Sequence, residues 1–174
     1  MTRQELAKRI AEVALLRGDF VLRSGRRSSY YLDKYLFETQ PDILEALGPA
    51  LAAIMPQEGV DRLAGPELGA VAIAAVLSVH TKLPFVLVRK VEKDYGTKKK
   101  FEGIIKEGER ILLLEDVLTT GGQARLSAKA LEEAGARVVG ILGVIDRQEG
   151  AREIIEKAGY PMTALFTKTD LGVQ

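Results

Sequence analysis

The chain has 174 residues, with 25 Lys and Arg against 24 Asp and Glu, a formal net charge of +1 and 47% apolar residues. That size and balance fit a single globular domain over residues 1–174 and exclude a disordered chain. Near-neutral charge gives no global reason to expect a nucleic-acid or membrane partner, and the absence of cysteine excludes disulfides, thiolate metal sites and a cysteine nucleophile. No apolar run approaches the roughly 18 residues of a spanning helix, and charges recur where a secretion signal would be apolar, so the expected location is cytoplasmic.

In chain order, Thr2 and Glu5 match a capping box, and Leu6, Ile10, Val13 and Ala14 follow at helical spacing toward a stop near Gly18. A short strand over 19–22 and a polar turn lead to Tyr30-Tyr31-Leu32. Pro41 then opens a helix carrying Leu44, Leu47, Leu51 and Ile54, which stops before Pro56. From Arg62 onward the pattern alternates. Strands are expected at 62–64, 85–89, 111–115, 138–144 and about 163–166, with helices at 71–79, 123–134 and 151–158. Gly135 and Gly159 serve as helix stops. Such alternation specifies an α/β fold with a central, mostly parallel sheet flanked by helices. The stretch 90–103 fits neither pattern and reads as a long mobile loop. His80, the one histidine, lies on an apolar helix and reads as structural; no transition-metal site is suggested.

The chemistry concentrates in Ile111-Leu112-Leu113-Leu114-Glu115-Asp116-Val117-Leu118-Thr119-Thr120-Gly121-Gly122-Gln123. An apolar strand ends in two carboxylates, and a hydroxyl- and glycine-rich turn then opens a helix, which puts a site at the C-terminal edge of a parallel sheet. Backbone N–H groups of Thr120–Gln123 suit a phosphate, and the carboxylates suit a vicinal diol, the combination a ribose 5-phosphate presents. The turn is neither a Walker A loop nor a dinucleotide fingerprint. Six basic residues and two acidic ones between Arg89 and Lys100 make a local cationic run suited to pyrophosphate, although such runs are also common as solvated loops. Arg147, just beyond an apolar strand, suits a planar anionic base with Thr119 adding a hydroxyl; its alternative is a surface ion pair with Glu149.

Glu115-Asp116-Val117-Leu118-Thr119-Thr120-Gly121-Gly122 resembles the phosphoribosyl pyrophosphate (PRPP) signature of type I phosphoribosyltransferases. Three further segments make the chain similar to the orotate phosphoribosyltransferases: Phe20-Val21-Leu22-Arg23-Ser24-Gly25 with Ser29-Tyr30-Tyr31-Leu32-Asp33, Arg89-Lys90-Val91-Glu92-Lys93-Asp94-Tyr95-Gly96, and Val144-Ile145-Asp146-Arg147-Gln148-Glu149-Gly150. The resemblance implies a type I phosphoribosyltransferase fold with a small N-terminal hood over about 1–40, a flexible catalytic loop over about 90–103, and transfer of ribose 5-phosphate from PRPP to orotate. Lys93, Asp116 and Arg89 are then the catalytic residues. Arg89, Lys90, Lys93 and residues Glu115, Asp116, Val117, Leu118, Thr119, Thr120, Gly121, Gly122 and Gln123 bind PRPP, while Arg23, Tyr30, Tyr31, Thr119 and Arg147 face orotate. The resemblance also implies Mg²⁺ held mainly through PRPP, with no protein metal ligands, and a homodimer with shared active sites. Tyr95 stands where many relatives carry His. The rival readings are a purine phosphoribosyltransferase and a PRPP-sensing regulator that binds nucleic acid.

Overall fold

The computed structural model of the chain describes residues 1–21, 25, 27–90 and 100–173. Helix α1 (Arg3–Ala14) carries the full capping box, Thr2 accepting from the Glu5 N–H and Glu5 from the Thr2 N–H. It ends at Ala14 rather than near Gly18, because Leu15, Leu16 and Arg17 pair with Leu32, Tyr31 and Tyr30 in an antiparallel hairpin of β1 (Leu15–Val21) and β2 (Arg27–Leu32). Cross-strand pairing outcompetes one more helical turn there. A one-turn helix α2 (Lys34–Glu38), capped by the Asp33 carboxylate, and α3 (Pro41–Ala52), with Pro41 in its first turn, follow.

The remaining elements are β3 (Arg62–Pro66), α4 (Gly69–Thr81), β4 (Phe85–Val88), β5 (Phe101–Glu102), β6 (Arg110–Leu118), α5 (Gly122–Glu133), β7 (Arg137–Asp146), α6 (Ala151–Lys157) and β8 (Met162–Thr167). They build a six-stranded sheet in the order β5-β4-β3-β6-β7-β8, parallel except for the short edge strand β5. The 90–103 stretch therefore returns to the sheet through Phe101 and Glu102; residues 91–99 lie outside the described residues. Alternation along β6 feeds two cores. Leu112 and Leu114 pack toward α1, α3 and α4, while Ile111 and Leu113 pack toward α5 and α6. Helix α1 thus belongs to the main core, and within the first 40 residues it is the β1–β2 hairpin that stands as a separate two-stranded sheet.

Topology decides where a ligand fits. The chain places β4 on one side of β3 and β6 on the other, so the order of strands reverses between β3 and β6. The two strands pair only from Arg62–Ala64 to Ile111–Leu113 and then separate, whereas β6 stays paired to β7 as far as Leu118 and Asp146. A crevice opens at the carboxyl end of β3 and β6, the standard ligand position of an open α/β sheet.

Candidate active site

Glu115 and Asp116 stand in that crevice, inside β6 rather than after it. Each is less than a tenth exposed. Glu115 Oε1 is buried without a hydrogen-bond partner among the described residues. Burial, with the neighbouring Asp116 charge second, pushes the Glu115 carboxyl up to about 8. Asp116 is engaged on both oxygens: Oδ1 accepts from the Val117 N–H and Oδ2 from Lys34 Nζ, each at 2.5 Å. Gly69, where α4 begins, makes this arrangement possible, since a Cβ there would fall within 1.5 Å of Asp116 Oδ2.

Beyond β6 the backbone turns through Thr119 and Thr120 into Gly121, whose φ of 76° is left-handed and whose missing Cβ would sit 2.9 Å from the Ala151 carbonyl. Only glycine fits both conditions. Among the described residues no side chain caps α5, so the first-turn N–H groups at Gly122 and Gln123 are left for an anion to meet through backbone alone. Leu118 is buried, and its carbonyl accepts from the Arg147 N–H, so its contribution to the turn is through the backbone.

On the opposite wall, the Arg89 N–H donates to the Lys100 carbonyl and its guanidinium lies 3.6 Å from Glu102, with Nε buried and without a hydrogen-bond partner among the described residues. The Lys90 N–H donates to Glu67 Oε1 at 2.8 Å, tying β4 to the turn after β3. A cavity of about 140 Å³ brings Arg89, Lys90, Glu115, Asp116, Val117 and Gln123 together. Larger grooves of about 650 and 490 Å³ lie over α1 and α3 and between α3 and α4, away from these residues.

Arg147 sits over the Tyr30 ring at 5.9 Å, its Nη2 lies 2.9 Å from Glu149, and its Nε is buried without a partner. The ion pair with Glu149 is therefore present, and among the described residues the guanidinium keeps one donor without a partner beside an aromatic face. Tyr31, on the other face of β2, packs on Phe20 at 5.8 Å between centroids and is not brought to Arg147. Arg23, Lys93 and Tyr95 lie outside the described residues. His80 is exposed in the last turn of α4. The sequence reading missed Lys34 and Glu38, because a one-turn helix leaves no periodicity to find; the Asp33 cap was the only signal.

Residues 37–159 match the model of the phosphoribosyl transferase domain family. The chain is 45% identical over 172 residues to the orotate phosphoribosyltransferase of Pyrococcus furiosus, covering 97% of this chain and 94% of that one. The chain belongs to the orotate phosphoribosyltransferase family. It is an enzyme of phosphoribosyl transfer, and the resemblance read from its four segments is borne out. Its fold matches the crystal structure of the Aeropyrum pernix orotate phosphoribosyltransferase with a TM-score of 0.84 at 33% identity, covering 99% of this chain and 97% of that one. It also matches the Mycobacterium tuberculosis orotate phosphoribosyltransferase in complex with PRPP, with a TM-score of 0.85 at 29% identity, covering 98% and 99%. Among the described residues no helix is long and apolar enough to cross a membrane.

Proposed function

We propose that this chain transfers the ribose 5-phosphate of PRPP to orotate, giving orotidine 5′-monophosphate and pyrophosphate in de novo pyrimidine (UMP) biosynthesis, in the cytoplasm and as a homodimer with shared sites. The observation that carries the residue assignment is the crevice itself, where two buried carboxylates precede an uncapped helix start and face two basic residues across one cavity. Glu115 and Asp116 accept from the ribose hydroxyls, the N–H groups from Thr119 to Gln123 hold the 5′-phosphate, and Arg89, Lys90 and Lys93 meet the pyrophosphate. Arg147 and Tyr30 face the base, with Arg23 and Thr119 completing its surroundings; Tyr31, on the other face of β2, does not.

The C1–O bond breaks with its electron pair leaving on pyrophosphate, and the orotate ring nitrogen supplies the pair for the new C1–N bond while its proton passes to pyrophosphate or water. Charge grows on the leaving group, so cations placed there lower the barrier more than they tighten ground-state binding. The donor chemistry of the crevice fits Mg²⁺: hard carboxylate oxygens, one of them unpartnered, stand where hydroxyls and water around the ion would dock. Glu115 and Asp116 would hold it indirectly, and when bound it neutralises pyrophosphate charge.

The test follows orotate absorbance with PRPP and Mg²⁺ against a control lacking PRPP. A PRPP-dependent fall is expected, and its absence, or equal use of adenine or hypoxanthine, rejects the substrate assignment. Lys93→Ala is expected to lower kcat about 100-fold, on the scale of losing one transition-state contact, with orotate affinity within about threefold. Mixing inactive Lys93→Ala and Asp116→Asn chains should regenerate activity if sites are shared.

A further inference from the structure

Helix α2 brings two residues to Asp116 that neither the motifs nor the family's signature assign. Lys34 Nζ lies 2.5 Å from Asp116 Oδ2, with the Lys34 side chain about one-third exposed and the Asp116 side chain only 6% exposed. Glu38, four residues on, ends the same short helix. It is 5% exposed, and its Oε1 is buried with no hydrogen-bond partner among the described residues. A Cβ built on Gly69 would meet both Asp116 Oδ2 and Glu38 Oε1 within 3.0 Å, so the two carboxyl groups converge on one point at the start of α4. Two ionised carboxylates do not share such a place, but a protonated Glu38 donating to an ionised Asp116 does.

We infer that Lys34 and Glu38 are positioning residues, an ammonium on one side and a neutral carboxyl donor on the other, that fix the Asp116 carboxylate for the ribose of PRPP. The inference rests on the assignment of Asp116 to the ribose. Every lone pair of Asp116 held by α2 or by the Val117 N–H sets the direction of those left for substrate. The charged and titratable groups around the pair are Asp33, Lys34 and Tyr35 on α2, Glu115 beside Asp116 on β6, and Lys90 beyond β4; α4 presents only Gly69 at this point. Burial, and then the Asp116 charge, hold the Glu38 carboxyl protonated up to about pH 8.

The experiment measures kcat and KM for PRPP and for orotate across pH 6–10 in Lys34→Met, Lys34→Arg, Glu38→Leu and Glu38→Gln. Removing the cation or the donor is expected to lower kcat/KM for PRPP about tenfold, the size of one charge-assisted hydrogen bond, with KM for orotate within about twofold. Glu38→Gln, whose amide still donates, and Lys34→Arg, which keeps the cation, should recover most of that loss. In the wild type the donor is lost as pH rises through about 8, so Glu38→Gln should lift the alkaline fall of kcat/KM for PRPP relative to wild type. Unchanged PRPP parameters in Lys34→Met and Glu38→Leu overturn the inference, as does equal damage to PRPP and orotate. If Glu38→Leu fails to fold, an alkaline limb identical in Glu38→Gln and wild type still overturns it. A normal PRPP affinity in Asp116→Asn would instead overturn the ribose assignment on which it rests.

Discussion

Strands β3 and β6 carry charged residues at both ends, and the two ends are built on opposite terms. At the amino end, Arg62 meets Glu109 through two hydrogen bonds of 2.9 Å with both side chains about 9% exposed, and Arg110 clasps Asp61 in the same bidentate way. Each carboxylate has its own guanidinium. Hydrogen bonding from Arg110 pulls Asp61 down to about 2, and that from Arg62 lowers Glu109. At the carboxyl end, among the described residues, Lys34 is the one cation in ion-pair contact with the group of Glu38, Glu115 and Asp116, and burial pushes Glu38 and Glu115 up to about 8. One sheet thus holds satisfied charge at its amino end and crowded, incompletely paired charge at its carboxyl end, the pattern of a functional site rather than a structural one.

The largest break in this contrast comes from the carboxyl end. Asp116→Asn or Glu115→Gln removes an ionic acceptor from the reacting sugar, and kcat/KM for PRPP is expected to fall about 100-fold or more, a cost of roughly 3 kcal/mol in the transition state. Glu115→Gln removes a carboxyl with no ion-pair partner among the described residues, so its thermal unfolding should not worsen, whereas Asp116→Asn also unpairs Lys34 and should lose some Tm. A loss of activity matched by a loss of Tm in Glu115→Gln would mean that Glu115 is structural. The mirror experiment is Arg62→Met, which strands Glu109 as a buried charge and is expected to cost about 3 kcal/mol of folding stability. Its kcat and KM should stay within about twofold at a temperature where it remains folded. Urea denaturation and steady-state kinetics read the two effects separately.

A smaller effect separates the ends by pH. Carboxyls raised in the fold bind protons that the unfolded chain has already lost, so their stabilising effect is complete below about pH 4.5 and disappears as pH rises through about 8. Asp61 works the other way, its contribution intact above about 3.8 and lost as pH falls toward about 2. Tm should therefore decline from pH 5 to pH 9, and Glu38→Gln should flatten that decline, with a gain on the order of 5 °C at pH 9 and little at pH 5. Parallel Tm curves for the two proteins would remove Glu38 from the account.

How much of this was readable without coordinates follows from how local each signal is. The β6 run, the glycine turn and α5 were legible because four consecutive apolar residues, two acids and Gly121-Gly122 are contiguous, and each imposes its structure within a few residues. Strand β6 runs further than expected, through Leu118, because its partner β7 continues to Asp146, and pairing partners are set by tertiary structure. The end of α1 was misplaced for the same reason: Leu15 and Leu16 fit a helix until β2 pairs with them. Lys34 and Glu38 stayed hidden because their meaning comes from a residue 82 positions away from Lys34. The edge strand β5, only two residues long, carries no periodicity at all.

The finest test of the contrast is a proton count. At pH 7 a Glu115 carboxyl held near 8 is mostly neutral, and at the amino end nothing titrates nearby, since Asp61 and Glu109 are already ionised. When PRPP binds, ribose hydroxyls donating to Glu115 favour its carboxylate form, so Glu115 should discharge its proton. Calorimetric titration of Mg²⁺-saturated PRPP into the protein, repeated in buffers of different ionisation enthalpy, should show release of about half a proton to one proton at pH 7. The release should fade toward pH 9.5, where the carboxylate is already formed. Arg62→Met should leave the count unchanged, because the charges at the amino end do not meet the ligand. Heats independent of buffer would mean that Glu115 keeps its proton in the complex and acts as a neutral donor, and the crevice would then lean on Asp116 alone for its ionic acceptor.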